Sequence, residues 1–247
     1  MPRKARLFSS SETYHIVIRG NNKQNIFYDT EDYNFFIKRM AKYLKETEIE
    51  LYAYCLMTNH VHLAIGKASK TTLVTFMRKL EVSYAYYFNT KYERVGHLFQ
   101  DRYKSEPINT SRQFQKTIRY ILQNPILGGL ATSINYDWNS YKTSLQIDSI
   151  INKDILTREF GNLTNYMNFI TENINDKCMD YENKPRKTDR DCLNFLKQKY
   201  KIHNPMHIDK FTQNQKQKIL LQLKNKGFSI RSISRITGIS RKIIQMA

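Results

Sequence analysis

Apolar residues recur along this chain with two alternating periods, and the switches between them mark the elements. Thr13-Tyr14-His15-Ile16-Val17-Ile18-Arg19 is rich in β-branched and aromatic residues and runs into Gly20-Asn21-Asn22, which predicts a strand followed by a turn. From Thr30 to Glu46 the apolar positions Phe35, Phe36, Ile37, Met40, Tyr43 and Leu44 fall at helical spacing, with Thr30 placed to cap the helix and Glu31 and Asp32 suited to its dipole. Glu48 to Leu56 reads as a strand, Met57-Thr58-Asn59 as a turn, and His60 to Ile65 as the partner strand. Leu73, Phe76, Met77, Leu80, Tyr84 and Tyr87 give one stripe to a second helix over Thr71 to Asn89. Arg102 to Ile108 is a fourth strand, whose Pro107 suits a strand end or a sheet edge. Ser111 to Gln123 is a third helix, and Pro125 is expected to stop it just after Asn124.

The first six elements, in the order strand, helix, strand, strand, helix, strand, match the split β-α-β topology of ferredoxin-like folds. The expected fold class is therefore α+β: an antiparallel sheet with helices over residues 1–145, followed by a small all-α domain. In such a sheet the two central strands lie side by side, and the third helix can cover a residue pair on one of them. Residues 146–183 read as a helical extension or linker, with Ile150, Ile151, Ile155, Leu156, Phe160, Tyr166, Phe169 and Ile170 able to pack. Lys184-Pro185-Arg186-Lys187 is the best boundary before a basic helical domain at 184–247.

Charge narrows the partner. The chain holds 40 Lys and Arg against 22 Asp and Glu, a net +18, and its pI near 9.7 points to a polyanion. The spread is uneven. Residues 184–247 carry 16 basic against 3 acidic side chains, a net +13, while 146–183 carry 3 against 7, a net −4. The remaining 21 against 12 leave residues 1–145 at +9. Two basic parts around an acidic spacer suit two nucleic-acid contacts, although a solubilising surface would show the same excess. Cys55, Cys178 and Cys192 form no zinc or disulfide spacing, which fits a reducing cytoplasm. Without an apolar run of about 18 residues or a signal-like start, a soluble, cytoplasmic protein with no membrane partner is expected.

The candidate chemistry lies in two segments. His60 and His62, one residue apart on a strand, point to the same face, while Val61 points to the other. Tyr120 and Asn124, four apart on a helix, share a face. Together they supply two imidazoles, an amide oxygen and a phenol, a set that suits a metal. Taken singly, the histidines would serve equally well as ordinary strand residues and the tyrosine as a packing residue.

Five blocks in order carry a more specific likeness. They are Tyr14 to Asn21, Tyr54 to Leu63, Gly96 to Tyr103, Tyr120 to Ile126, and Tyr136 to Tyr141. Over roughly residues 10–145 the chain resembles the single-tyrosine HUH transposases, and within them the REP-associated tyrosine transposase group. The resemblance implies that Tyr120 is the nucleophile and that His60, His62 and Asn124 bind a divalent cation, Asn124 standing where more distant relatives often carry Gln. Family precedent favours Mg²⁺ or Mn²⁺, whereas imidazole ligands alone would equally admit zinc or nickel. It further implies cleavage and rejoining of single-stranded or hairpin DNA through a 5′-phosphotyrosine, by a monomer or a homodimer. Arg19, Arg102 and Lys104, near strand ends, are candidates to grip phosphates, or else plain surface charge. His15 and His97 sit inside the same blocks but are left outside the site, because a histidine alone does not separate ligand from packing residue.

The tail carries its own signal. Gln213 to Lys226 is a basic amphipathic stretch that ends at Gly227, and Phe228 to Ile244 then reads helix, glycine turn, helix. Ile230, Ile233, Ile236, Ile239, Ile243 and Ile244 would form its core. This resembles a helix-turn-helix, with Arg231, Arg235, Ser240, Arg241, Lys242 and Gln245 available to duplex DNA and a second helix of barely two turns. Many members of the family end soon after the catalytic domain, so this tail suggests added duplex binding. The competing classes are a non-catalytic regulator that binds hairpin DNA or RNA, and a hydrolase acting through water.

Overall fold

In the computed structural model the described residues are 8–146, 149–172, 189–202, 208 and 211–246. They fall into two compact units, one within Ala5–Asp180 and one within Tyr181–Ala247. The proposed boundary at Lys184–Lys187 lies outside the described residues.

The first unit runs β1 (Tyr14–Arg19), α1 (Thr30–Thr47), β2 (Glu50–Met57), β3 (His60–Gly66), α2 (Lys70–Lys91), β4 (Lys104–Pro107) and α3 (Ser111–Leu127). Its sheet has the order β2-β3-β1-β4 with all neighbours antiparallel, the split β-α-β arrangement expected from the sequence. Alternation sorts the strands cleanly: Ile16, Ile18, Val61 and Leu63 point to one side and are fully buried in the main core, which α1 and α2 complete through Phe36, Met40, Phe76, Leu80 and Tyr84. The opposite side carries His15, Val17, Arg19, His60 and His62, since Val17 pairs with His62 and Arg19 with His60. Short, charged β4 forms one edge, a device that discourages further strand pairing.

Two local details differ from the sequence reading. Asp29, not Thr30, caps α1: its carboxylate accepts from the Asp32 backbone while Asp32 reaches back, a reciprocal box that stabilises the helix start by about 1 kcal/mol. The third helix does not stop before Pro125 but continues to Leu127. Proline removes one hydrogen bond and crowds the preceding turn, yet here every residue from Thr117 to Pro125 is buried, and that packing overrides the local preference.

One side of that packing is the sheet, and the other comes from beyond residue 145. After a short turn of helix, α4 (Tyr141–Ser144), come α5 (Lys153–Phe160) and α6 (Leu163–Thr171). These cover the side of α3 turned away from the sheet. Gln123 donates to the carbonyls of Ile170 and Glu172, and Arg119 stacks 4.0 Å over the Phe169 ring while pairing with Glu172 at 3.1 Å. The segment Tyr136–Tyr141 lines the free edge of β2, where Leu56 N–H donates to Trp138 and Ser140 N–H to Tyr54. Trp138 stacks on Tyr33 at 4.3 Å.

The second unit holds α7 (Asp189–Tyr200), α8 (Gln213–Asn225), α9 (Ile230–Thr237) and α10 (Arg241–Met246). Leu196, Leu220, Leu223, Ile233 and Ile244 close its core. Gly238, at φ 72°, ends α9 in the left-handed conformation that glycine tolerates best. Ile243 is exposed rather than buried as its sequence position suggested, because the short α10 turns only Ile244 inward. Among the described residues no helix is long and apolar enough to cross a membrane.

Candidate active site

The site is built where α3 crosses the histidine-bearing face of the sheet. His62, near the start of β3, is fully buried, and Tyr120 of α3 stands edge-on to it with ring centroids 5.7 Å apart and planes at 83°. His60 lies perpendicular to His62 at 4.9 Å, half-buried at the start of the same strand. Asn124 is buried one turn beyond Tyr120, on the stretch of α3 that ends at Gly128. A side chain at Gly128 would strike Met57, the cross-strand partner of His60, so α3 runs from His62 toward the His60 end of the sheet.

Each imidazole has a partner at one nitrogen. His60 Nδ1 lies 2.6 Å from Asn59 Oδ1. An amide oxygen only accepts, so the proton of neutral His60 sits on Nδ1 and Nε2 keeps its lone pair. His62 Nδ1 lies 3.0 Å from Nε2 of His15, which is itself fully buried on β1, while His62 Nε2 is buried without a hydrogen-bond partner. Burial, then the nearby His15, His60 and Arg19, hold the His62 pKa well below the ordinary imidazole value, so the ring is neutral. A neutral buried imidazole with an unused nitrogen beside a second imidazole is suited to a cation or to a polarised phosphate group. Among the described residues no group of three or more His, Cys, Asp or Glu side chains gathers into a metal site, so a cation here would need the Asn124 oxygen or a substrate oxygen to complete its shell.

Of the phosphate-gripping candidates, Arg19 ends β1 directly opposite His60, and Lys104 lies exposed on β4 opposite Val17, on the histidine side of the sheet. Arg102 is exposed in the bend before β4. The β1 end is fixed by the loop after α2: Gly20 bridges Phe99, Asn21 N–H donates to Leu98, and Gln100 N–H donates to Arg19. Gly20 also lets the following turn fold close against the strand end, since a Cβ there would lie 2.3 Å from the Gln24 carbonyl. Arg231, Arg235, Ser240, Arg241, Lys242 and Gln245 are exposed on the second unit, and Arg235 pairs with Asp189 at 2.6 Å.

His15 is the residue the sequence reading left out. Its signal was present in the alternation of β1, which puts His15, Val17 and Arg19 on one face; what was missing was the register placing that face beside His62.

The family described as Transposase IS200 like matches residues 8–124, a span that holds all of His15, His60, His62, Tyr120 and Asn124. Residues 8–124 belong to this family of IS200-like transposases. A solved REP-associated tyrosine transposase, bound to a REP hairpin, shares the fold with a TM-score of 0.50 at 14% identity, over 59% of this chain and 86% of that one. A candidate transposase from Deinococcus radiodurans aligns over 53% of this chain and 99% of its own at 15% identity, with a TM-score of 0.35. No curated protein matches the chain.

Proposed function

We propose that the IS200-like domain cleaves and rejoins single-stranded or hairpin DNA with Tyr120 as the nucleophile. The observation that carries this reading is the buried contact of the Tyr120 ring with His62, within the residues that match the transposase family. The Tyr120 hydroxyl attacks a backbone phosphorus, the P–O3′ bond breaks, and a 5′-phosphotyrosine and a free 3′-hydroxyl result. The phenol gives up one proton and the departing 3′-oxygen takes one, so neither water nor a nucleotide is consumed. A second 3′-hydroxyl reverses the step and reseals the strand. Because the phosphate must reach a buried phenol, an unpaired strand or the foot of a hairpin fits better than a continuous duplex.

His60, His62 and Asn124 would hold a divalent cation, Mg²⁺ or Mn²⁺. The orphaned Nε2 of His62 and the Nδ1-protonated form of His60 fit that group: both leave a nitrogen lone pair for it. When bound, it supplies Lewis-acid polarisation of the phosphate and charge stabilisation at the leaving oxygen. Arg19 and Lys104 add positive charge beside the phosphate. In the second unit, α9 and α10 would dock as a helix-turn-helix on duplex DNA through Arg231, Ser240, Arg241, Lys242 and Gln245. The buried free thiols of Cys55 and Cys192 suit action in the reducing cytoplasm.

The test is a labelled hairpin oligonucleotide incubated with Mn²⁺ and resolved under denaturing conditions. An SDS-resistant protein–DNA band that is lost on chelation is expected. Cleavage without any covalent complex would instead establish a hydrolase.

A further inference from the structure

Between the edge strand and the site lies a line of three polar groups, Glu106, His15 and His62, of which the chemistry above uses only His62. His15 and Glu106 are direct cross-strand partners on β1 and β4, and the Glu106 carboxylate lies 3.9 Å from His15 Nδ1. The other nitrogen of His15 lies 3.0 Å from His62 Nδ1. One proton sits between the two rings, and with one further proton on the pair two arrangements are open.

In the first, His62 Nδ1–H donates to His15 Nε2. The His15 proton then resides on Nδ1, facing the carboxylate, and His62 Nε2 is bare. In the second, His15 Nε2–H donates to His62 Nδ1. A lone pair of His15 then faces the negative carboxylate, and His62 Nε2 carries a proton that is buried with nothing to accept it. A buried ring N–H without a hydrogen-bond partner occurs in both arrangements, at His15 Nδ1 in the first and at His62 Nε2 in the second, so the Glu106 charge decides between them: it attracts the His15 Nδ1–H of the first and repels the lone pair of the second.

We propose that Glu106, acting through His15, fixes the proton of His62 on Nδ1 and so keeps Nε2 as its bare nitrogen. The inference leans on the transposase reading only for the use made of that nitrogen. His15 and Glu106 are thus positioning residues, and they do for His62 what Asn59 does for His60: each site imidazole has a partner at Nδ1 that places the proton there and leaves the lone pair on Nε2. Outer partners of this kind commonly govern how well a histidine binds a cation. The charge is half-exposed at the edge of the sheet, so it can be altered without opening the core.

The experiment uses the full chain with ¹⁵N-labelled histidine, without metal, comparing wild type with Glu106→Gln and Glu106→Lys. The wild-type His62 is expected to show a protonated Nδ1 and an unprotonated Nε2 by ¹⁵N chemical shift. Both variants should move population toward the Nε2–H form, Glu106→Lys more than Glu106→Gln. Mn²⁺ affinity, read by calorimetry, should fall about tenfold in each with the fold unchanged. A wild-type His62 protonated on Nε2, or variants that leave its tautomer unchanged, would overturn the proposal. Should the tautomer shift as expected while wild type binds no Mn²⁺, the relay stands and the metal reading of the site falls.

Discussion

The phenol ring of Tyr120 meets the imidazole of His62 edge-on at 5.7 Å, and both side chains are buried. Neither element reaches the other by local sequence: His62 sits on a central strand and Tyr120 on a helix held against the sheet by a later pair of helices. The contact joins a group able to attack a phosphate to a neutral ring able to help polarise one. It also makes the consequences of removing each group separable.

Tyr120→Phe keeps the ring and removes only the hydroxyl. Stability should change by about 1 kcal/mol or less, the size of a single hydrogen bond, and hairpin binding should persist. Strand cleavage should disappear. Thermal unfolding, a gel-shift titration and a cleavage assay on the same preparation check the three parts.

His60→Ala and His62→Ala should both abolish Mn²⁺ binding, yet differ in the fold. His60 is half-buried and its removal should cost well under 1 kcal/mol. Losing His62 leaves His15 Nε2 without its partner in a fully buried setting and opens a cavity, a cost of about 2 to 4 kcal/mol. Denaturant midpoints set beside calorimetric titrations separate the two effects.

In the second unit, Arg241 and Lys242 are exposed at the start of α10, whereas Arg235 is tied to Asp189. Replacing Arg241 and Lys242 together with Ala should weaken duplex binding and lower the slope of log affinity against log salt by about 2, as expected for two lost phosphate contacts. Arg235→Ala should change that slope by less. Fluorescence anisotropy between 50 and 200 mM salt, the range in which such slopes are commonly resolved, gives the comparison.

The Arg235 guanidinium, then the Ser232 hydroxyl, hold the Asp189 carboxyl below the ordinary carboxylate range. A lowered folded-state pKa means that the unfolded chain takes up the proton first as pH falls. The stabilisation is therefore fully present above the unfolded value of about 4 and is lost as pH drops through the folded one. Wild type should exceed Asp189→Asn in melting temperature at pH 6, with the gap closing below pH 4. A constant gap across that range would show that the ion pair does not govern the difference.

Much of the fold was legible because strand and helix periods alternate without ambiguity from Tyr14 to Gln123, and the turn at Met57-Thr58-Asn59 sets the hairpin. His60 and His62 on one face, and Tyr120 with Asn124 one helical turn apart, follow from period alone. Two things did not. Cross-strand register, which brings His15 beside His62 and Glu106 beside His15, depends on pairing between strands far apart in sequence. The continuation of α3 through Pro125 goes with its burial against the sheet and against α5 and α6, packing that is tertiary. The burial of Arg119 and Gln123 likewise goes with tertiary partners, the Phe169 ring and Glu172 carboxylate for Arg119 and the Ile170 and Glu172 carbonyls for Gln123.

The most direct test of the central claim is to locate the bond itself. The SDS-resistant complex formed with a hairpin substrate would be digested with trypsin and nuclease, and the nucleotide-bearing peptide sequenced by mass spectrometry. The expected result is a phosphodiester on Tyr120, in the peptide that follows Arg119. A nucleotide on Tyr136 or Tyr141 of that same peptide, or on any residue elsewhere in the chain, would contradict it.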